Sequence, residues 1–292
     1  NKTSISSSRR SKKSCYSSTS NPKWSSDGKI TMQKNFFKMA VLTSLVKRGG
    51  KSSKIAVIIS DGLRYELGKQ LCAVMNRTNR REATISPMIS VIPSYTQLGM
   101  AALLPNEELA LSKNGDDTVF VDGISAAGIK NREKILGTAG FRSICVSAED
   151  LEQKTAKELR ESLVKDHDVI YIYHNVIDQV GEHNDKELFE GCDKCLESLQ
   201  VLIQKLFSAN LNNLLVTADH GFICMDRAFD LNTDFISAPA VKNAVCLQKQ
   251  RFIITPSPSG VNDQNNLVFA SENAGLKAGM DIITPPMLVR YS

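Results

Sequence analysis

The segment KIAVIIS, residues 54–60, is an unbroken apolar run of the length of one β-strand. Apolar runs without polar alternation are typical of strands that are buried on both faces of a parallel sheet. The sequence predicts further strands at 143–147, 168–174, 213–217, 251–255 and 267–270. Apolar residues at helical spacing predict helices over 31–47 and 185–208. The alternation of strands and helices indicates an α/β fold with a mostly parallel sheet.

Composition indicates a globular protein with a full core. The 292 residues are 42% hydrophobic, which is enough for one large domain or two small ones. No apolar stretch approaches the roughly 18 residues that a membrane-spanning helix needs, and the start lacks an apolar signal segment. The seven cysteines are scattered and odd in number, which fits a reducing compartment better than a disulfide framework. We therefore expect a cytoplasmic protein that does not contact a membrane.

The basic charge is concentrated at the start of the chain. Residues 1–54 contain 13 Lys or Arg and a single acid, Asp27. The first 28 residues are also rich in serine and poor in aliphatic residues, so they cannot offset the entropy cost of ordering. We interpret 1–28 as a solvated, partly disordered lead-in or the remnant of a preceding region, and 29–292 as the folded domain. The alternative role for 1–28 is binding to nucleic acid or another acidic surface.

Polar residues directly follow three of the predicted strands. In open α/β sheets, ligands bind beyond the carboxyl ends of the strands, so such residues face one shared crevice. An aspartate after a strand can also cap the next helix, and a histidine there can be an ordinary loop residue. Because three strands end in this way, we favour a common site. The residues are Asp61, His174, Asn175, Asp178, Asp219 and His220.

These residue types suit metal-assisted phosphoryl chemistry. Carboxylates and an imidazole from separate strands can hold a divalent cation such as Zn²⁺, and paired metals can clamp the attacking and leaving oxygens of a phosphoryl transfer. The segment PSYTQLGMAALLP, residues 93–105, offers a nucleophile in Thr96, at the start of a short apolar helix. A helix N-terminus favours a bound phosphate, and a nearby metal lowers the pKa of a hydroxyl. The alternative is that Ser94 or Thr96 only caps the helix.

Four segments together resemble the PglZ domain, a member of the alkaline phosphatase superfamily associated with BREX-type phage defence. They are IISDGLRYELG, IPSYTQLGMAALLP, YIYHNVIDQVGE and LLVTADHGF, and the resemblance covers about residues 31–292. It implies an alkaline-phosphatase-like fold with helices on both faces of the sheet and a two-metal site at the strand ends. It also implies a metal-dependent phosphatase or phosphodiesterase of a bacterial phage-defence system, acting with other proteins of a defence complex.

The resemblance assigns roles to individual residues. Asp61, Thr96, Asp219 and His220 match the ligands of one metal, with Thr96 in the nucleophile position. Asp178 and Glu182 match ligands of the second metal, where much of the superfamily has histidine in place of Glu182. Zinc is the expected ion at both sites, and the additional carboxylate favours tolerance of Mn²⁺ at the second.

One departure from the superfamily pattern leaves two functions open. Superfamily members usually supply a further histidine to the second metal from near the C-terminal end of the sheet, whereas no histidine follows His220 here. We therefore expect either a domain truncated at its C-terminus or a degenerate second site. The alternative to an enzyme is a non-catalytic structural module of a phage-defence complex, with a degenerate or single metal site.

Four more residues are candidates for supporting roles. Arg64 could bind a phosphate oxygen, or it could pair with Glu66 on an amphipathic helix. His174 could orient a metal ligand rather than bind the metal itself. Asn175 and His183 are further candidates for orienting ligands or binding substrate.

Overall fold

The structure is a computed structural model that describes residues 30–45, 54–77, 82–177, 187–223, 230, 232–262, 265–286 and 288–292. The strands in chain order are β1 (Thr31–Met32), β2 (Ile55–Ser60), β3 (Met88–Ile89), β4 (Leu109–Leu111), β5 (Val119–Val121), β6 (Ile124–Ser125), β7 (Ser143–Ser147), β8 (Val169–His174), β9 (Leu214–Thr217), β10 (Phe235–Ile236), β11 (Leu247–Lys249), β12 (Phe252–Pro256), β13 (Leu267–Ala270), β14 (Met280–Thr284) and β15 (Arg290–Tyr291). The α-helices are α1 (Leu42–Ser44), α2 (Tyr65–Arg77), α3 (Thr96–Ala102), α4 (Ile129–Gly137), α5 (Ala148–Glu152), α6 (Ala156–Leu159) and α7 (Glu187–Ser208).

A four-stranded parallel sheet in the order β7-β8-β2-β9 positions the candidate site. Every residue of its two central strands, β2 and β8, is buried. These strands are the unbroken apolar runs that the sequence predicted, and a strand covered on both faces has no position for an exposed polar side chain. Register pairs such as Ser60 with His174 and Ile59 with Thr217 bring the carboxyl ends of three strands to the same edge.

Alternate residues of β2 face two different hydrophobic cores. Ile55, Val57 and Ile59 pack with α3, α4 and the helical segment near residue 40. Ala56 and Ile58 pack with α2, α7 and the short helices α5 and α6. Side chains along a strand point alternately to opposite faces, so this division means that helices cover both faces of the sheet. The prediction of a mostly parallel sheet with helices on both faces is therefore confirmed. None of the helices that the structure describes has the length and apolar character needed to cross a membrane.

The start of the described chain is less helical than its spacing predicts. β1 pairs in parallel with β3, and helical turns begin only after it, at Gln33–Asn35, before a π-helical turn at Phe37–Val41. The buried residues of the predicted apolar stripe are Phe36, Phe37, Val41 and Leu45. The stripe thus packs on the core as expected, while Thr31 and Met32, the first two residues of the predicted helix, instead pair with β3, a strand that is remote in sequence.

A second, antiparallel sheet has the order β11-β12-β14-β13. It contains the predicted strands near 251–255 and 267–270, which therefore do not extend the central parallel sheet. Ile254 and Ile282 pack into one of the two main cores, whereas Ile253 and Ile283 pack into a small third cluster with Tyr291. Between α3 and β7, residues 109–125 form a three-stranded antiparallel sheet, which precedes α4.

Candidate functional site

Asp61, Asp219 and His220 meet at the carboxyl edge of the parallel sheet. Asp61 follows β2 directly, and its backbone N–H donates to the carbonyl of His174 at 2.8 Å. Asp219 and His220 follow the neighbouring strand β9. The Asp219 residue is completely buried and Asp61 is 4% exposed. Because the two strands are parallel and in register, their ends deliver both carboxylates to one place.

The ligand atoms of these three residues are close enough to share a cation. His220 Nε2 lies 3.4 Å from Asp61 Oδ1 and 3.4 Å from Asp219 Oδ2. One donor atom from each residue lies within 4.8 Å of the others. Ligands about 2.0 to 2.2 Å from a tetrahedral zinc ion are about 3.3 to 3.6 Å apart. The separations between the imidazole and each carboxylate therefore fit one zinc-sized ion.

Thr96 faces His220 rather than the backbone of its own helix. It is the first residue of α3, and its Oγ1 lies 2.9 Å from His220 Nε2. The residue at the N-cap position is Tyr95, and its side chain makes no capping hydrogen bond. His220 Nδ1 lies 3.0 Å from the carbonyl oxygen of Gly221. That oxygen can only accept, so Nδ1 donates to it, and Nε2 is the ring nitrogen that faces the Thr96 hydroxyl and the two carboxylates. The capping alternative for Thr96 is not supported.

Asp219 is buried in a way that favours a positive partner. Burial raises the pKa of the Asp219 carboxyl, while the charge of His220 and the hydrogen bond from the Gly62 N–H oppose that rise. The Gly62 bond reaches Oδ1 at 3.2 Å. No group in the described part of the chain hydrogen-bonds to the buried Oδ2. An ionised carboxylate without full compensation is costly to bury, so the residues present fit a bound divalent cation.

The helix that carries Thr96 rests directly on the backbone of the candidate ligands. A Cβ atom at Gly99, the fourth residue of α3, would lie 2.3 Å from the carbonyl oxygen of Asp219. The side chain of the buried Gln33 donates a hydrogen bond to the same carbonyl oxygen. We did not predict either contact from the sequence. A glycine inside a short apolar helix is a signal for close backbone approach, but nothing local marks Gln33.

A groove of about 340 Å³ runs beside Asp219 and His220. Arg64, Tyr65, Ile85 and Phe222 are among its lining residues. The Arg64 guanidinium donates to Glu66 at 3.0 and 3.2 Å and lies 5.2 Å from the centre of the Phe222 ring. Pairing with Glu66, the alternative considered for Arg64, is thus present in the structure. Binding of a phosphate oxygen by Arg64 stays a prediction.

His174 is the last residue of β8, and Asn175 follows it. His174 lies outside the group of Asp61, Asp219 and His220, which we call the candidate ligand cluster. Both ring nitrogens of the buried His174 are engaged, with Nδ1 3.0 Å from Ser60 Oγ and Nε2 3.0 Å from Ser198 Oγ. Burial lowers the pKa of His174 to about 4. The His174 carbonyl accepts a hydrogen bond from the N–H of Asp61, a candidate metal ligand, while both His174 ring nitrogens are already engaged by hydroxyl groups. Asn175 is exposed.

The predicted residues of the second metal site cannot be compared with the structure. Asp178, Glu182 and His183 lie outside the described residues, as does the predicted lead-in 1–28. Their roles stay predictions. The structure does bring together Asp61, Thr96, Asp219 and His220, the four residues that the family resemblance assigns to the first site.

Comparison with a solved structure identifies the fold of the chain. The chain is similar to murine ectonucleotide pyrophosphatase / phosphodiesterase 5, with a TM-score of 0.50 and 14% identity, over 82% of this chain and 80% of that one. At this identity the likeness concerns the fold, which is α/β and alkaline-phosphatase-like, as the sequence predicted.

The family is shown by sequence. Residues 36–291 match the BREX system PglZ alkaline phosphatase-like domain, and the chain belongs to this family. It is 35% identical to the alkaline phosphatase-like protein BrxZ of Escherichia coli over 228 residues, and this match covers 77% of this chain and 26% of that protein. It is 32% identical to the alkaline phosphatase-like protein PglZ of Bacillus cereus over 223 residues, and this match covers 74% of this chain and 25% of that protein. The chain thus spans about a quarter of the length of these relatives.

Proposed function

We propose that this domain is a metal-dependent phosphohydrolase of the phosphatase or phosphodiesterase type, with Thr96 as its nucleophile. The observation that carries the proposal is the 2.9 Å contact between Thr96 Oγ1 and His220 Nε2, beside two buried carboxylates. A hydroxyl directed at a group of potential metal ligands is the arrangement that metal-activated nucleophilic catalysis requires.

Four residues would hold the first ion. Asp61, Asp219 and His220 supply two carboxylates and an imidazole, and Thr96 supplies a hydroxyl. This donor set suits Zn²⁺, and Mn²⁺ is the alternative. When bound, the ion would supply positive charge that lowers the pKa of the Thr96 hydroxyl and stabilises charge on the phosphoryl oxygens. We propose Asp178 and Glu182 as ligands of a second ion.

The residues of the chain then divide the reaction into two displacements. Thr96 loses its hydroxyl proton to solvent, and Oγ1 attacks the phosphorus atom. As the new O–P bond forms, the bond to the leaving oxygen breaks, and that oxygen takes a proton from water. Water then hydrolyses the phosphate ester formed on Thr96 and restores the hydroxyl, so one ester and one water give one alcohol and one phosphate, or one phosphomonoester when the substrate is a phosphodiester. α3 positions Thr96, since its backbone rests on the Asp219 carbonyl.

The cellular setting is proposed from the family. The matching domain is described as part of the BREX system, so we propose that the domain acts in phage defence, within a complex of several proteins. The basic segment 1–28 is proposed as a contact for nucleic acid because of its charge. A non-catalytic structural role in the same complex is the competing function, and turnover distinguishes the two.

The decisive experiment compares variants of Thr96 and Asp219. Turnover of p-nitrophenyl phosphate and bis(p-nitrophenyl) phosphate is measured with Zn²⁺ or Mn²⁺, together with the metal content of each preparation. We expect Thr96→Ala to lose turnover while it keeps most of its metal, and Thr96→Ser to retain much of the activity. Asp219→Ala is expected to lose both, because a carboxylate ligand is removed.

Thr138→Ala is the matched control for loss of a threonine hydroxyl. The Thr138 hydroxyl donates to the Ile135 carbonyl at the end of α4, outside the candidate ligand cluster, so this variant should keep turnover and metal. Full turnover by folded Thr96→Ala would remove Thr96 from the mechanism. No turnover by the wild-type chain with either probe and either ion would favour the structural role.

A further inference from the structure

Gln33 is a buried glutamine with a complete set of hydrogen bonds. It is 1% exposed and lies in the turn that follows β1. Its Nε2 donates to the carbonyl oxygens of Ala218 at 3.1 Å and Asp219 at 2.5 Å. Its Oε1 accepts from the Val91 N–H at 3.0 Å and from the Ser90 hydroxyl at 3.2 Å. These bonds use both N–H groups and both lone-pair directions of the amide, and the partners leave only one orientation for it.

The two carbonyls that Gln33 binds belong to the peptides on either side of Asp219. The pairing of Thr217 with Ile59 is the last register pair between β9 and β2, so these carbonyls lie beyond the ladder. The Gln33 side-chain amide donates a hydrogen bond to each of these carbonyls. Because the direction of a side chain follows from its backbone, these two peptides determine where the Asp219 carboxylate and the His220 imidazole point.

The Asp219 carbonyl is also held from a second direction. The backbone of α3 approaches it so closely that a Cβ at Gly99 would lie 2.3 Å away. The carbonyl oxygen is therefore confined between the Gln33 amide and the helix that begins at Thr96. By fixing this carbonyl, Gln33 helps to set the 2.9 Å distance between the Thr96 hydroxyl and His220 Nε2.

We propose that Gln33 is a positioning residue that sets the orientation of Asp219 and His220 as a ligand pair and their distance from Thr96. The inference rests on the proposed function, because it treats Asp219 and His220 as metal ligands. Gln33 precedes the family match, which begins at residue 36. Residues that orient metal ligands by hydrogen bonding typically contribute about 10- to 100-fold to metal affinity, and we expect a loss of that size when Gln33 is replaced.

The test uses Gln33→Met, which keeps the length of the side chain and removes both donors and the acceptor. Gln33→Glu, which keeps the shape and the acceptor, serves if the methionine variant does not fold. Three quantities are measured: the free energy of unfolding in urea, the Zn²⁺ dissociation constant by competition with a chromophoric chelator, and the absorption spectrum with Co²⁺ in place of zinc. We expect about 10- to 100-fold weaker Zn²⁺ binding and an altered Co²⁺ spectrum.

Asn243→Ala is the matched control for stability. The Asn243 amide also donates to two carbonyls, those of Pro256 and Pro258, at 2.9 and 3.0 Å, but in the region of the antiparallel sheet. The Asn243→Ala variant should have a lower free energy of unfolding than wild type, but the same Zn²⁺ affinity and the same Co²⁺ spectrum. If a folded Gln33 variant has wild-type affinity and spectrum, or if Asn243→Ala changes both equally, Gln33 does not position the ligands.

A measurement without metal separates this inference from the proposed function. The chain has four histidines, and the imidazole NMR signals of His220 are assigned with His220→Gln. In chelator, Gln33→Met should shift the His220 signals and leave those of His174 in place. Such a shift in a chain that binds no metal through Asp219 would overturn the proposed function and support the positioning role. If the chain binds metal through Asp219 but the His220 signals do not shift in Gln33→Met, the proposed function is supported and the positioning role of Gln33 is refuted.

Discussion

Replacing Gly99 by alanine should push α3 away from the candidate site. The added Cβ would lie 2.3 Å from the Asp219 carbonyl oxygen and 2.7 Å from its carbonyl carbon. An ordinary contact is about 3.5 Å, so the helix or the ligand peptide has to move by about 1 Å. A movement of that size lengthens the 2.9 Å contact between Thr96 and His220 to about 4 Å, beyond hydrogen-bonding distance.

The cost in stability can be isolated with a second glycine. Gly137 is the last residue of α4, and among the described residues a Cβ there would meet only the Ser143 hydroxyl, at 3.9 Å. Gly137→Ala should therefore raise the free energy of unfolding by about 0.4 to 1 kcal/mol, because alanine restricts the unfolded chain. Gly99→Ala receives the same gain but adds an overpacking cost of about 1 to 3 kcal/mol. The difference between the two variants measures the clash.

Urea unfolding in the presence of a chelator gives this difference, and Zn²⁺ titration of the folded variants reports on the site. We expect Gly99→Ala to be less stable than Gly137→Ala by about 1 to 3 kcal/mol and to bind Zn²⁺ more weakly, whereas Gly137→Ala binds it normally. Equal stability of the two variants, together with wild-type Zn²⁺ affinity of Gly99→Ala, would refute the packing of α3 on the Asp219 peptide.

Two further predictions concern buried ionisable groups. Burial lowers the pKa of His174 to about 4, so the unfolded chain takes up a proton that the folded chain does not as the pH falls from about 6.5 to 4. The free energy of unfolding should lose up to about 3 kcal/mol over that window, and urea unfolding of His174→Gln should show a flatter pH dependence. Burial raises the pKa of Asp219, so the neutral Asp219→Asn should be at least as stable as wild type in chelator at pH 8. Zinc at about 100 times its Kd should add about 2.7 kcal/mol to wild type and little to this variant; an equal gain in both would exclude Asp219 as a ligand.

The sequence predicts those parts of the fold that local patterns determine. The run at β2 and the similar run at β8 identify the central strands because only a strand covered on both faces tolerates an unbroken apolar run. Asp61, Asp219 and His220 could then be grouped, since the carboxyl ends of parallel strands share one edge. The structure brings these residues together, and their roles in binding metal and in catalysis stay predictions.

The remaining features depend on partners that are distant in sequence. The sequence predicts the strands β12 and β13. No local sequence pattern indicates that both pair with β14 in an antiparallel manner. β1 forms because β3 is available to pair with it, although the spacing around it is helical. Gln33 contacts a carbonyl 186 residues later. A polar side chain near the start of a predicted helix has no feature that distinguishes such a contact from exposure to solvent.

The strand order also has a consequence for how the chain folds during synthesis. β2 is the first strand of the parallel sheet to be made, yet Ile55 pairs with Val169 and Ala56 pairs with Leu214. Its apolar side chains therefore leave the ribosome long before either neighbouring strand exists. Contacts between such distant residues slow folding, and an unpaired apolar strand is prone to aggregation in the interval. We expect the parallel sheet to form only after β9 has been made, and chaperones to shield the segment from residue 55 to residue 60 until then.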